Sequence, residues 1–191
     1  MRILSNGKVD VDKQTIYLDV DDVVLNSRST AVKIFRERYG GGGEERSWTF
    51  KTTRRGISQK EIIQVFDSEE FWSRVHYKDD FMIPFMEEIV IPWRYNVTLV
   101  TKGDEGNIKR KWDMLSGRFD FDRVGFLALD NDESKSRVHM WEGIQIDDNY
   151  ENLRDTDARV KILFREVDDS DYNGFWRVRD NLPRLYVCSM A

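Results

Sequence analysis

The alternation of apolar and polar positions divides the chain into one strand, a helical block, and then a strand–helix series. Thr15-Ile16-Tyr17-Leu18 has strong strand character and runs directly into Asp19, with Asp21 two residues on. From Ser29 to Tyr39 the period becomes helical, with Val32, Phe35 and Tyr39 on one face; Gly40 to Gly43 end it, because glycine takes the left-handed conformation at little cost. Ser58-Gln59-Lys60-Glu61 is a capping-box sequence ahead of Ile62, Ile63, Val65 and Phe66, and Asp67-Ser68-Glu69-Glu70 repeats the signal ahead of Phe71, Trp72 and Val75. A further helix is expected from about Phe81 to Val90, with Pro84 near its first turn and Pro92 stopping it.

Strands and helices then alternate. Val97 to Val100 reads as a buried strand ending at Thr101, followed by a helix with Ile108, Trp112 and Leu115 on one face and Gly117 at its end. Val124 to Leu129, Gly143 to Ile146 and Val160 to Phe164 read as further strands, with a short helix containing Tyr150 and Leu153 before the last. Strands separated by helices predict a parallel sheet with helices on both faces. The expected fold is therefore α/β, a Rossmann-like three-layer α/β/α core. A small helical cap is inserted after the first core strand. Residues 1–27 and 93–191 would form the core, and 28–92 the cap. Asn6-Gly7, between Ile3-Leu4 and Val9-Val11, suggests a small hairpin at the start.

Composition narrows the function classes. The 191 residues are 40% hydrophobic and 34% charged, with a net charge of −5, which argues against nonspecific nucleic-acid binding. Cys188 is the single cysteine, and His76 and His139 are the two histidines, so neither a disulfide framework nor a cysteine- or histidine-rich zinc site is expected. No run approaches the roughly 18 apolar residues of a membrane span, and the start of the chain lacks the apolar core of a signal peptide. The expected setting is cytoplasmic.

The candidate chemistry sits at strand ends. Asp19 and Asp21, then Thr101, then Asp147 and Asp148 each follow a predicted strand, and parallel strands bring their carboxyl ends to one edge. Carboxylates gathered there repel one another unless a cation intervenes, and oxygen ligands suit Mg²⁺. A threonine hydroxyl, free amides after a strand and a lysine suit a phosphate.

These residues carry a resemblance. Asp19-Val20-Asp21-Asp22-Val23, Leu99-Val100-Thr101 and Ile146-Asp147-Asp148-Asn149 resemble the first, second and fourth motifs of the haloacid-dehalogenase-like hydrolases, in that order. Val65 to Trp72 is similar to the cap helix pair of the 5′(3′)-deoxyribonucleotidase-like members, and Ser134-Lys135-Ser136 to their lysine motif. Ile162-Leu163-Phe164, then Tyr172-Asn173 and Trp176-Arg177-Val178, is similar to their C-terminal strand and following loop. Asp22 stands where those nucleotidases usually have glycine, and Lys102 where a serine is usual.

The resemblance implies a Mg²⁺-dependent phosphomonoesterase. Asp19 would be the nucleophile and Asp21 the general acid and base. Mg²⁺ would be held by Asp19, the Asp21 backbone carbonyl, and Asp148 or Asp147. Thr101, Lys102 and a lysine would bind the phosphoryl group. Lys135 is favoured for that lysine, and Lys109 is a second phosphate contact. Phe35, Trp48, Phe71 and Trp72 are candidates to stack on a base, with core packing as the competing role of each. The implied partner is a phosphorylated small molecule, a nucleoside monophosphate by this resemblance; a sugar phosphate, another metabolite, a nucleic-acid end or a silent binding module are the alternatives. Neither a membrane nor a stable nucleic-acid partner is expected, and a homodimer is admissible.

Overall fold

In the computed structural model, residues 2–5, 10, 12–40, 58–166, 174–177 and 185–190 are described. The Asn6-Gly7 turn, Trp48 and Tyr172-Asn173 lie outside them. The chain forms two compact units: residues 1–24 with 79–191, and residues 25–78.

The first unit is built on a mixed sheet of the order β1-β4-β3-β2-β5-β6-β8-β7. Its strands are β1 (Arg2–Ser5), β2 (Thr15–Asp19), β3 (Asn96–Lys102), β4 (Gly125–Leu129), β5 (Ile144–Asp147), β6 (Val160–Glu166), β7 (Gly174–Arg177) and β8 (Leu185–Met190). Strands β4, β3, β2, β5 and β6 are all parallel, and helices flank them, which is a three-layer α/β Rossmann-like arrangement. Strand β8 continues the parallel run beyond β6, and β1 and β7 close the two edges antiparallel. The central strands carry buried apolar side chains because both faces are covered: Ile16, Leu18, Leu99, Val100, Phe126, Ala128 and Ile146 are all buried.

The order of the strands matters for function. From β2 the chain steps outward through β3 to β4 and then returns to β5 on the other side of β2. That reversal falls between β2 and β5, and their carboxyl ends are the place where open α/β sheets hold ligands.

Three expectations are corrected. Trp176 and Arg177, read from the sequence as part of a loop, lie in β7. The helical segment after Lys78 does not stop at Pro92. It runs as α4 (Asp79–Pro84), a π-helical turn (Phe85–Val90) and α5 (Ile91–Trp93), and ends at Arg94, whose φ is +54°. The wider turn follows Pro84, which has no N–H to donate, and Ile91 N–H bonds the Met86 carbonyl in the π pattern. This segment clusters with the sheet unit instead of the inserted one, and the Phe81 ring lies 4.6 Å from that of Phe164. Finally, Ser68, not Asp67, caps the second of the two short helices, its Oγ accepting from Phe71 N–H at 3.2 Å.

The second unit contains α1 (Ser27–Tyr39), α2 (Gln59–Phe66) and α3 (Glu69–Arg74). Gly40 ends α1 at φ +63°. The Ser58 side chain and the Glu61 carboxylate satisfy each other's backbone N–H groups at the start of α2. Among the described residues no helix is long and apolar enough to cross a membrane.

Two glycines behave oppositely. A Cβ at Gly143 would lie 2.6 Å from the Tyr17 ring and 2.9 Å from the Met140 carbonyl oxygen, whereas one at Gly106, inside a helix, would meet only Asp104 Oδ1 at 3.5 Å. Gly143→Ala is expected to destabilise the fold by about 1–3 kcal/mol through overpacking. Gly106→Ala is expected to stabilise it by about 0.4–1 kcal/mol. Urea denaturation of the two variants checks both signs.

Candidate active site

Strand β2 stops at Asp19 because the chain then turns on itself, with Val24 N–H bonding the Val20 carbonyl at 3.0 Å. Asp22 sits inside that turn at φ +59°, a conformation that aspartate adopts more readily than most side chains. This accounts for an aspartate where the resembling motif usually has glycine. Val20 N–H donates to Asp19 Oδ1 at 2.7 Å and holds the carboxylate at the strand end.

Strand β5 delivers its acids to the same edge. Leu18 pairs with Ile146 in parallel register, so Asp147 is level with Asp19. One carboxylate oxygen from each of Asp19, Asp147 and Asp148 can be chosen so that all lie within 4.8 Å of one another. Asp19 and Asp147 are buried, and Asp148 is half-buried. Lys135 closes the group. It lies on a short 3₁₀ turn (Lys135–Arg137), is 2% exposed, and places Nζ 2.7 Å from both Asp19 Oδ1 and Asp147 Oδ2.

The charges explain one another. Burial and then the neighbouring Asp147 push the Asp19 carboxyl well above the usual carboxylate range, with Lys135 opposing them. Burial disfavours the Lys135 ammonium, but Asp147 and Asp19 outweigh it and hold Lys135 above the ordinary lysine value. With all three acids ionised, the single Lys135 ammonium leaves the spot net negative. The donor set is all oxygen, with no histidine or cysteine in it. Octahedral Mg²⁺ has ligand oxygens roughly 3 to 4 Å apart, so the spacing fits a hard divalent cation after small adjustments.

A second charged group stands beside the first. Lys111 Nζ donates to Asp21 Oδ2 at 2.5 Å, to Thr101 Oγ1 at 2.7 Å and to the Lys102 carbonyl at 3.0 Å. Thr101 is fully buried, Lys111 is 2% exposed and the Asp21 side chain 24%. The helix that carries Lys111, α6 (Glu105–Ser116), starts directly after β3, with Asp104 Oδ1 accepting from Asn107 N–H at 2.9 Å. Helical side chains lean toward the N-terminus, so a lysine two turns in reaches back to the strand end.

Sequence reasoning missed Lys111. It favoured Lys135 and offered Lys109 as a second phosphate contact, but Lys109 is exposed, and the lysine of α6 that reaches Thr101 is Lys111. The signal was present: Lys111 falls between Ile108 and Leu115 at helical spacing, on the buried stripe of α6. A lysine on an apolar stripe needs an anionic or hydrogen-bonding partner.

The remaining candidates divide. Lys102 is half-buried at the end of β3, and its carbonyl is what the site uses. Phe35 and Phe71 are each 1% exposed in the second unit, so neither ring has a free face for a base. Trp72 is half-buried, packs edge-on to Phe71 at 5.3 Å, and donates from Nε1 to the Phe66 carbonyl at 2.7 Å.

Searches against protein-family models and against curated proteins find no match.

The two lysines on α6 give a direct contrast. Lys111→Met is expected to lower stability by roughly 1–3 kcal/mol, because it strips hydrogen bonds from buried Thr101 and from Asp21. Lys109→Met should stay within about 0.5 kcal/mol of the wild type, as surface changes do. Equal unfolding midpoints for the two variants would contradict this geometry.

Proposed function

We propose that the protein is a Mg²⁺-dependent phosphomonoester hydrolase working through an aspartyl-phosphate intermediate, a member of the haloacid-dehalogenase-like hydrolases. The observation that carries this reading is the convergence of Asp19, Asp147, Asp148 and Lys135 beside an Asp21–Lys111–Thr101 group at one sheet edge. Asp19, the Asp21 backbone carbonyl and Asp148 or Asp147 would hold the cation, which supplies positive charge next to the transferring phosphoryl group.

The chain's own residues supply the rest. Asp19 attacks phosphorus: a bond forms from its carboxylate oxygen and the ester P–O bond breaks. Asp21 gives a proton to the departing alkoxide and takes one from water in the second step, when that water cleaves the acyl phosphate. Lys135 and Thr101 bind the phosphoryl oxygens, where positive charge and donors favour the transition state. Lys111 orients Asp21 in the resting site and adds a second cation beside Thr101. A cytoplasmic setting accords with the single cysteine.

The substrate class we favour is a nucleoside monophosphate, on the likeness of Val65 to Trp72 to the deoxyribonucleotidase-like cap helices. The burial of Phe35 and Phe71 favours a second reading, a smaller phosphorylated metabolite. A panel of nucleotides, sugar phosphates and end-phosphorylated oligonucleotides, each with Mg²⁺ and with chelator, decides between them.

Asp19→Asn should reduce turnover of every substrate by at least about 10³-fold, because it removes the nucleophile and a metal charge together. Mg²⁺ should also raise the unfolding midpoint of the wild type, by the equivalent of about 2.7 kcal/mol at a hundredfold excess over its dissociation constant. That gain should shrink sharply in Asp19→Asn. Calorimetric melting with and without Mg²⁺ reads it.

A further inference from the structure

Asp147 differs from the other acids of the site in how completely the protein occupies it. It is fully buried. Its Oδ1 accepts from Asn149 N–H at 2.9 Å and from Asn152 Nδ2 at 3.1 Å. Its Oδ2 accepts from Lys135 Nζ at 2.7 Å, with Asn152 Nδ2 at 3.3 Å and Gln145 Nε2 at 3.4 Å beside it. A carboxylate offers about four lone-pair sites, so these donors leave little for a further ligand.

The donors are themselves fixed. Gln145 lies two residues before Asp147 on β5 and shares its face of the sheet. It is 2% exposed, an unusual place for a glutamine in a parallel strand, and its Oε1 accepts from Thr156 Oγ1. Thr156 is 6% exposed, and its carbonyl accepts from Lys161 Nζ at 2.7 Å. Asn152 comes from α7 (Tyr150–Arg154), which starts right after the acid pair with Asn149 as its cap.

We propose that Asn152 and Gln145 are positioning residues that commit Asp147 to Lys135 instead of to the metal ion. The amide donors fix the carboxylate plane from two sides, so that Oδ2 faces the lysine. Asp148, one residue on and half-buried, is then the β5 acid that takes the cation with Asp19. This inference rests on the metal-dependent phosphoryl-transfer reading. It adds an ordering of the two acids and names two residues outside the reacting groups.

Asn152→Leu and Gln145→Met remove the donors while keeping the branching and length of each side chain. Two quantities are measured on each and on the wild type: Mn²⁺ affinity by electron paramagnetic resonance without substrate, and kcat and KM with Mg²⁺. The expected result is a fall in kcat on the order of 10–10²-fold from a misplaced lysine, with Mn²⁺ affinity unchanged. A loss of Mn²⁺ affinity of roughly 10–100-fold, in step with kcat, would make Asp147 a metal ligand and overturn the proposal. Unchanged values for both quantities would overturn it as well. A wild type that binds no Mn²⁺ and hydrolyses no phosphomonoester fails at the earlier step, and is thereby distinguished from failure of the clamp. Should buried Gln145→Met not fold, the half-buried Asn152→Leu decides alone.

Discussion

Charge neutralisation at the ends of β2 and β5 is the constraint from which the site follows. A parallel sheet that reverses its strand order at β2 brings Asp19 and Asp147 level with each other at one edge. Burial makes their repulsion costly, since carboxylates in a poorly hydrated place favour the neutral form. Lys135 offsets part of that cost by bridging the two. The remaining negative charge is what would draw a divalent cation, and a phosphate ester with it.

The second pair, Asp21 and Lys111, is organised differently. It rests on β3 and α6, where the short link through Gly103 lets the helix begin as soon as the strand ends. A Cβ at Gly103 would come within 2.6 Å of Asn107 Oδ1, so a side chain there would have to displace the Asn107 amide. Lys111 thereby bonds Thr101 and Asp21 at once, so that strand β3, helix α6 and the turn after β2 share a single ammonium. Removing a group of this kind alters several elements together, which is why its effect on stability and its effect on chemistry need separate measurements.

Much of this was legible in the sequence because it is local. The strand before Asp19, the capping box at Ser58 and the left-handed glycine at Gly40 are each set by neighbours a few residues away. The acids at strand ends were legible for the same reason. What escaped depends on contacts distant in sequence. Lys111 differs from Lys109 only in which face of α6 it occupies, and its burial is justified by partners on two other elements. The pairing of β1 with β4, and of β7 with β8 beyond β6, is a choice among sheet edges that strand propensity does not encode. Pro92 reads as a stop in any helix, yet a π-helical turn ahead of it lets the segment run on to Trp93.

The most direct test of the central claim is chemical trapping of the intermediate. The wild-type protein, mixed with Mg²⁺ and the best phosphomonoester substrate, is quenched in the steady state and reduced with borohydride, which converts an acyl phosphate of aspartate to homoserine. Peptide mass spectrometry should locate that change at Asp19, only when substrate and Mg²⁺ are both present. Robust phosphate release without reduction at Asp19, or with the modification on another residue, would contradict the account.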